Sequence, residues 1–442
     1  MSTHVAIVGA YGSAGSAVAG KLADDPDVEL TLIDDGDPGG GLCILRGCMP
    51  SKEVLSAAEH RFAARHDPRL RGDAHDVDLE AVVERKNGHT SDWAKHRRDS
   101  IAELAERENV EFIHDTARFV DDRVLEVDDR RIEPDYVVIA TGSNVAIPPI
   151  PGIGDVPVGT SADVLDRTEF GDSGIALGLG YIGLELVPYL TEAADMDLTV
   201  VEALPDVLGE ADAPFGEELL AYYREHFDID VLLDAEGEHV ERTDDDGVRM
   251  DVDVDGETRT IEADELFAFT GREPALDRLG IGNTSLQPVK GWVSDTMQAA
   301  GDDRVFVVGD VNNREPILHV AKEEGFTAAE NVRRHRDGDP LREYENVHHH
   351  VIFSGLGVLP FARVGHSVES AEDAGLEFVA ATREASGDGV FKTKNVADGL
   401  ARLVVGTDGT VLGYQGLHYH ADVMAKTMQL AVEMELDVRE IP

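Results

Sequence analysis

At 442 residues the chain exceeds one ordinary hydrophobic core, and its 42% hydrophobic content excludes a largely disordered polypeptide. A formal charge of −49, with nine lysines against thirty arginines and acids spread along the whole length, excludes a nucleic-acid role, because phosphate backbones demand basic patches. Such a surface repels itself in dilute buffer and is screened at molar salt, where the Debye length is about 3 Å, so a salt-rich cytoplasm is indicated rather than acidic-ligand chemistry.

Met1 leads almost directly into a strand-like run at 4–8, with no signal peptide. The longest apolar run, 174–190, is broken by Glu185 and is too short to span a bilayer, so a soluble cytoplasmic protein with no membrane partner is expected. A helix-like run at 16–23 and a strand at 29–33 complete a βαβ unit, the signature of a parallel sheet. Its turn, Gly9-Ala10-Tyr11-Gly12-Ser13-Ala14-Gly15, spaces the glycines by three, as though Tyr11 had been inserted into a GxGxxG. Asp34 still ends the second strand, and the turn reads as a lengthened loop that cradles a pyrophosphate.

The two cysteines of the chain, Cys43 and Cys48, lie five apart. Two thiolates do not fill a tetrahedral zinc site, and no histidine lies in the eleven residues after Cys48, which favours redox chemistry. In a regular helix such residues have Cα atoms about 8.6 Å apart, beyond the roughly 7 Å reach of a disulfide. A pairing therefore requires a distorted segment, for which Gly39-Gly40-Gly41 and Gly47 provide. Residues 56–109 read as two charged helices crossing the surface, and 136–140 as a buried strand ending in Thr141-Gly142.

The proline-rich stretch 147–157 marks a boundary. A second βαβ unit follows, with strands at 174–177 and 198–201 around Gly178-Leu179-Gly180-Tyr181-Ile182-Gly183. Here strand, GxGxxG and helix are in register, and Glu202 ends the next strand. A carboxylate there accepts both ribose hydroxyls and repels a 2′-phosphate, so NAD is favoured over NADP. Residues 231–261 read as a β-meander, 305–308 as a buried strand and 317–332 as a helix. From about 346 onward, strands at 351–354 and 400–405 and a helix at 422–434 suggest an α+β domain.

The segment Gly41-Leu42-Cys43-Ile44-Leu45-Arg46-Gly47-Cys48-Met49-Pro50-Ser51-Lys52 resembles the redox-active disulfide motif of the class I pyridine nucleotide-disulfide oxidoreductases. That family includes dihydrolipoamide dehydrogenase, glutathione reductase and mercuric reductase. In the family's order follow Thr141-Gly142-Ser143, the fingerprint through Glu185, Gly271-Arg272-Glu273-Pro274, Val308-Gly309-Asp310, Ile317 to Ala321, and Glu324-Gly325. The resemblance implies an α/β fold with two Rossmann-like dinucleotide-binding domains and a C-terminal α+β dimerisation domain. The FAD-binding domain would span 1–145 and 271–343, the NAD-binding domain 146–270 and the interface domain 344–442.

FAD and NAD are the implied cofactors. Cys43 would exchange disulfides with substrate, and Cys48 would face the flavin as a charge-transfer thiolate. Lys52, paired with Glu185, would tune the flavin near N5. Gly9, Gly12, Gly15, Asp34, Ala117, Thr141, Gly142, Asp310 and His319 would contact FAD, with Asp34 on its ribose and Asp310 on its ribityl chain. Gly178, Gly180, Gly183 and Glu202 would hold NAD, and Gly271 would be a cofactor-binding residue.

Within the family the chain is most similar to dihydrolipoamide dehydrogenase, because Glu202 disfavours NADPH and no cysteines remain for a mercuric reductase's extra C-terminal pair. The implied partners are a small dithiol or disulfide, a second copy in a homodimer, and a 2-oxoacid dehydrogenase complex. Alternatives are a reductase of a quinone, a low-molecular-weight disulfide or Hg²⁺, and a non-turnover flavoprotein subunit. Intact Cys43, Cys48, Lys52 and Glu185 oppose the last. Aligned on the interface helix, the family's His/Glu acid-base dyad falls beyond Pro442. His418 and His420 lie upstream of that helix and read as interface or surface residues. The run His348-His349-His350 reads as exposed, and no metal site is expected.

Overall fold

The computed structural model describes residues 2–347 and 349–441. The chain divides into two compact units, one of Met1–Pro50, Asn87–Val145 and Arg272–Asn346, the other of Ser51–Lys86, Ala146–Gly271 and Val347–Pro442.

The first unit is built on β1 (Thr3–Val8), α1 (Ser13–Leu22) and β2 (Val28–Ile33). The two strands pair in parallel from Thr3↔Val28 to Val8↔Ile33. Val5, Ala6 and Ile7 are all fully buried, as expected of a parallel strand covered on both faces. The sheet has six strands, in the order 298–299, 302–307, 136–139, β1, β2, 110–113. The helix Leu318–Asp337 crosses α1 closely: a Cβ on Gly325 would lie 2.7 Å from the Ala14 carbonyl oxygen. Helix α1 starts three residues before the expected 16, because Gly12 caps it and the turn runs straight into the first helical residue. The short α2 (Leu42–Leu45) lies in this unit, whereas α3 (Cys48–His66) leaves it after Pro50 and α4 (Leu79–Ala105) belongs to it from Asn87 onward. Helix α3 thus begins well before the expected 56, at the second cysteine itself.

In the second unit a five-stranded parallel sheet runs in the order 230–232, 197–201, 173–177, 265–268, 158–160. The helix Tyr181–Ala194 connects Ser173–Leu177 to Asp197–Val201. A three-stranded antiparallel sheet holds Ala235–Arg242, Val248–Val254 and Glu257–Ala263. Asp255 (φ 57°) and Gly256 (φ 81°) form a two-residue hairpin turn whose positive φ angles match the strand twist. The expected meander began too early. Val231 belongs to Asp230–Leu232, which pairs in parallel with Thr199–Val201 and so extends the nucleotide-type sheet. Local alternation does not distinguish a short edge strand from the first strand of a meander.

The remaining sheet of this unit has five strands in the order 349–352, 361–365, 411–417, 400–406, 378–384. The helix Ala421–Glu433 lays Ala421, Ala425 and Met428 on Ala362, Val364 and Tyr414. Its other side leaves Val423, Met424 and Leu430 exposed.

Candidate active site

The redox segment gets its geometry from a broken helix. A single turn, α2, starts after Gly41, whose φ of +80° suits glycine, and ends at Arg46 in a non-helical conformation. Helix α3 restarts at Cys48. The break draws the Cα atoms of Cys43 and Cys48 to 5.0 Å, and the two are joined in a disulfide. Gly47 makes the break possible, since a Cβ there would lie 3.0 Å from the Cys43 Cα and 3.1 Å from the Leu42 oxygen. Upstream, Gly39 lies on the Tyr11 ring, where a Cβ would meet the ring at 2.2 Å. Arg98 Nη1 donates to the Gly39 carbonyl at 2.7 Å.

Lys52, four residues into α3 after Cys48, forms an ion pair with Glu185. Its Nζ lies 2.7 Å from both carboxylate oxygens and 4.4 Å from the centre of the Phe353 ring. Glu185 also accepts from Ser51 Oγ at 3.3 Å and from the Phe353 N–H at 3.1 Å. The Tyr223 hydroxyl, fully buried, donates to the Leu184 carbonyl and accepts the Gly355 N–H at 3.1 Å, fixing the helix position beside Glu185. Phe353 and Tyr223 were not among the expected site residues. Their only local signal is apolar patterning, and chain folding alone brings them to Glu185.

The two glycine turns are built alike. Gly178 (φ +87°) would place a Cβ 2.9 Å from the Phe269 oxygen, and Gly183 one 2.4 Å from the Gly178 oxygen. Gly9 (φ +96°) and Gly15 meet the Ala140 and Gly9 oxygens at 2.3 and 2.1 Å. Gly180 and Gly12 each cap the helix that follows. Glu202 accepts the Leu179 N–H at 2.5 Å and the Leu204 N–H at 2.9 Å. Asp34 likewise accepts the Tyr11 N–H at 2.8 Å and the Gly36 N–H at 2.9 Å. Burial pushes the pKa of Asp34 up, against the pull of those two donors.

This register corrects the expected insertion. Tyr11 matches Leu179, and the extra residue is Ala10, whose N–H shares the Ile33 carbonyl (3.2 Å) with that of Gly9 (2.9 Å). Both turns keep the glycines, the free helix start and the terminal acid that a dinucleotide diphosphate and ribose require, so both fit such cofactors.

Thr141 Oγ1 donates to the Ala275 carbonyl at 2.8 Å, and Gly142 takes φ +74°. Asp310 accepts Ser143 Oγ at 2.7 Å, and Arg272 Nε donates to that same Oγ at 2.8 Å. Gly271 (φ +97°) accepts the Ala146 N–H at 3.1 Å. Ala117 is buried, and His319 is half-buried as the second residue of Leu318–Asp337. His418, expected at a surface or interface, is buried in this chain: its Nε2 meets the Tyr414 hydroxyl at 2.7 Å and its Nδ1 the Tyr419 carbonyl at 2.9 Å. Burial holds its pKa down.

His349 is also buried, contrary to the exposed reading, because alternation on its strand turns it inward toward Lys426 Nζ at 3.3 Å. His350 stands edge-on to Tyr181, ring centres 4.1 Å apart. His348 lies outside the described residues. Among the described residues no cluster of three or more His, Cys, Asp or Glu is placed to hold a metal ion.

A disulfide at a helix start, two dinucleotide-type turns and a separate α+β sheet together define a flavoprotein disulfide oxidoreductase. The chain belongs to the pyridine nucleotide-disulphide oxidoreductase family, whose signature matches residues 3–325, with the family's dimerisation domain at 351–442. Members of this family use FAD and NAD(P)H. The chain is 29% identical over 455 residues to a dihydrolipoyl dehydrogenase of Haloferax volcanii, covering 99% of this chain and 92% of that one. It is 28% identical to one of Halobacterium salinarum, again covering 99% and 92%. It shares its fold with the HOCl-induced flavoprotein disulfide reductase RclA of Escherichia coli, with a TM-score of 0.81 at 22% identity over 98% of this chain and 94% of that one.

Proposed function

We propose that the protein is an NAD-dependent dihydrolipoyl dehydrogenase. The observation that carries the reading is the Cys43–Cys48 disulfide across the break between α2 and α3, in a chain similar to dihydrolipoyl dehydrogenases over nearly its whole length. The two thiols of dihydrolipoamide are oxidised to the cyclic disulfide while the Cys43–Cys48 bond is reduced to two thiols. Two electrons and one proton then pass to NAD⁺, giving NADH, and one proton is released. FAD, when bound, supplies the two-electron relay between the protein's thiols and the nicotinamide.

Cys43 exchanges with the substrate sulfur, and Cys48 is the thiol on the flavin side. Lys52, held by Glu185 and the Phe353 ring, is a fixed cation that tunes the redox site. Gly9, Gly12, Gly15, Asp34, Ala117, Thr141, Gly142, Asp310 and His319 are assigned to FAD, Gly178, Gly180, Gly183 and Glu202 to NAD, and Gly271 to cofactor binding. The domain division is that of an FAD domain (1–145 and 271–343), an NAD domain (146–270) and an interface domain (344–442). The exposed Val423, Met424 and Leu430 support a homodimer through the interface domain. A cytoplasmic location and a 2-oxoacid dehydrogenase complex as partner belong to the same reading. Among the described residues no helix is long and apolar enough to cross a membrane.

The test is steady-state turnover with lipoamide, glutathione disulfide, Hg²⁺ and a quinone, each with NADH and with NADPH. Lipoamide with NADH as the fastest pair is expected. Turnover of quinone or Hg²⁺ alone would make the protein a reductase of another acceptor.

A further inference from the structure

The lengthened turn of the first unit is held by an arginine from α4. Arg97 Nη1 lies 3.0 Å from the Tyr11 carbonyl oxygen, 3.2 Å from that of Gly12 and 2.7 Å from Ser16 Oγ. All three partners are neutral, and among the described residues no carboxylate pairs with Arg97. The Gly12 carbonyl is one end of the Gly12–Ser13 peptide. The other end is the Ser13 N–H at the start of α1, among the first helical amides, which have no partner within their own helix. A cation donating to the carbonyl polarises the peptide and strengthens its N–H as a donor. Ala10, the extra residue, lengthens the turn just ahead of this point, and Arg97 pins the two carbonyls that follow.

We propose that Arg97 is a positioning residue for the FAD diphosphate: it fixes the lengthened turn so that its amides face the diphosphate, and that anion is its counter-charge. The inference rests on the reading of the first turn as the FAD site. It would make the arginine a compensation for the inserted residue, with α4 serving as a brace for the cofactor turn.

The full-length protein, Arg97→Met and Arg97→Lys would be stripped of flavin and titrated with FAD, ADP and adenosine by calorimetry. NADH affinity serves as control. In Arg97→Met, FAD and ADP should bind about ten-fold weaker or more, the scale of a lost charge-assisted contact. Adenosine and NADH should be unchanged, because neither places a diphosphate on this turn. Arg97→Lys, which keeps the charge but not the fork, should fall between, and it decides the matter if Arg97→Met does not fold. Unchanged ADP affinity in the variant that folds overturns the proposal. So does an equal loss for adenosine, which would mark a general defect of the fold. A parent protein that takes up no FAD overturns the reading of the turn itself.

Discussion

Single side chains carry the most specific expectations. Cys48 opens α3, and on two-electron reduction it is the thiol assigned to the flavin side. Cys48→Ser should therefore lack the long-wavelength absorbance of a thiolate beside flavin; a band that persists in the variant would remove that assignment. Glu202 accepts two backbone N–H groups and is buried, so it shapes the turn, and under the proposed function its charge is the one assigned to the NAD ribose. Glu202→Ala should weaken NADH binding about ten-fold, the scale of a lost charged hydrogen bond, and narrow the preference over NADPH. The comparison is a pair of titrations, and NADPH binding tighter than NADH in the parent would refute the Glu202 reading.

Glu324 is nearly inaccessible and accepts the Gly309 N–H at 2.7 Å and Asn312 Nδ2 at 2.8 Å. Burial nevertheless raises its pKa to about 7. A carboxyl that is harder to ionise in the folded state contributes stability that is complete below its unfolded pKa and is lost as pH rises through about 7. Relative to Glu324→Gln, the parent should lose on the order of 3 kcal/mol between pH 4.5 and 8. Denaturant titrations across that range would test this, and parallel pH profiles would count against it.

Among the elements, the helix break at the disulfide is the one on which function depends. Gly47→Ala would press a methyl group onto Cys43 and the Leu42 carbonyl. Free thiols should then appear in the air-oxidised protein, with turnover down by about ten-fold or more. Thiol titration and steady-state kinetics would show it, and a fully paired, active Gly47→Ala would mean that the turn can relax. Both βαβ units were legible in the sequence because glycine turns and apolar strands are local signals. The start of α1 is not legible because the turn passes directly into the helix, and Val231 reads as part of the meander because a short edge strand has no pattern of its own. Spacing along the chain points to Tyr11 as the inserted residue. Only the N–H register against Asp34 and Ile33 shows it to be Ala10.

For the molecule as a whole, the charge of −49 governs behaviour in solution. Many arginines are already paired at the surface, as Arg249 is with Glu241 and Glu262, and the acidic excess is left to self-repulsion. The thermal midpoint should rise steadily as KCl goes from about 0.1 to about 2 M, over which the Debye length falls from about 10 Å to below 3 Å. A midpoint independent of salt would mean that repulsion is not the limiting term.

The amino-acid sequence by itself determined the chemistry: a cysteine pair, two dinucleotide turns with their acids, and an acid-rich surface, each encoded by neighbours along the chain. The tertiary structure decided which distant groups complete them. Ser51 and Phe353 reach Glu185, Arg97 reaches the Tyr11–Gly12 turn, and His349 and His418 are turned inward. These contacts join residues far apart in sequence, and no local pattern specifies a partner that only the packing of strands and helices brings within reach.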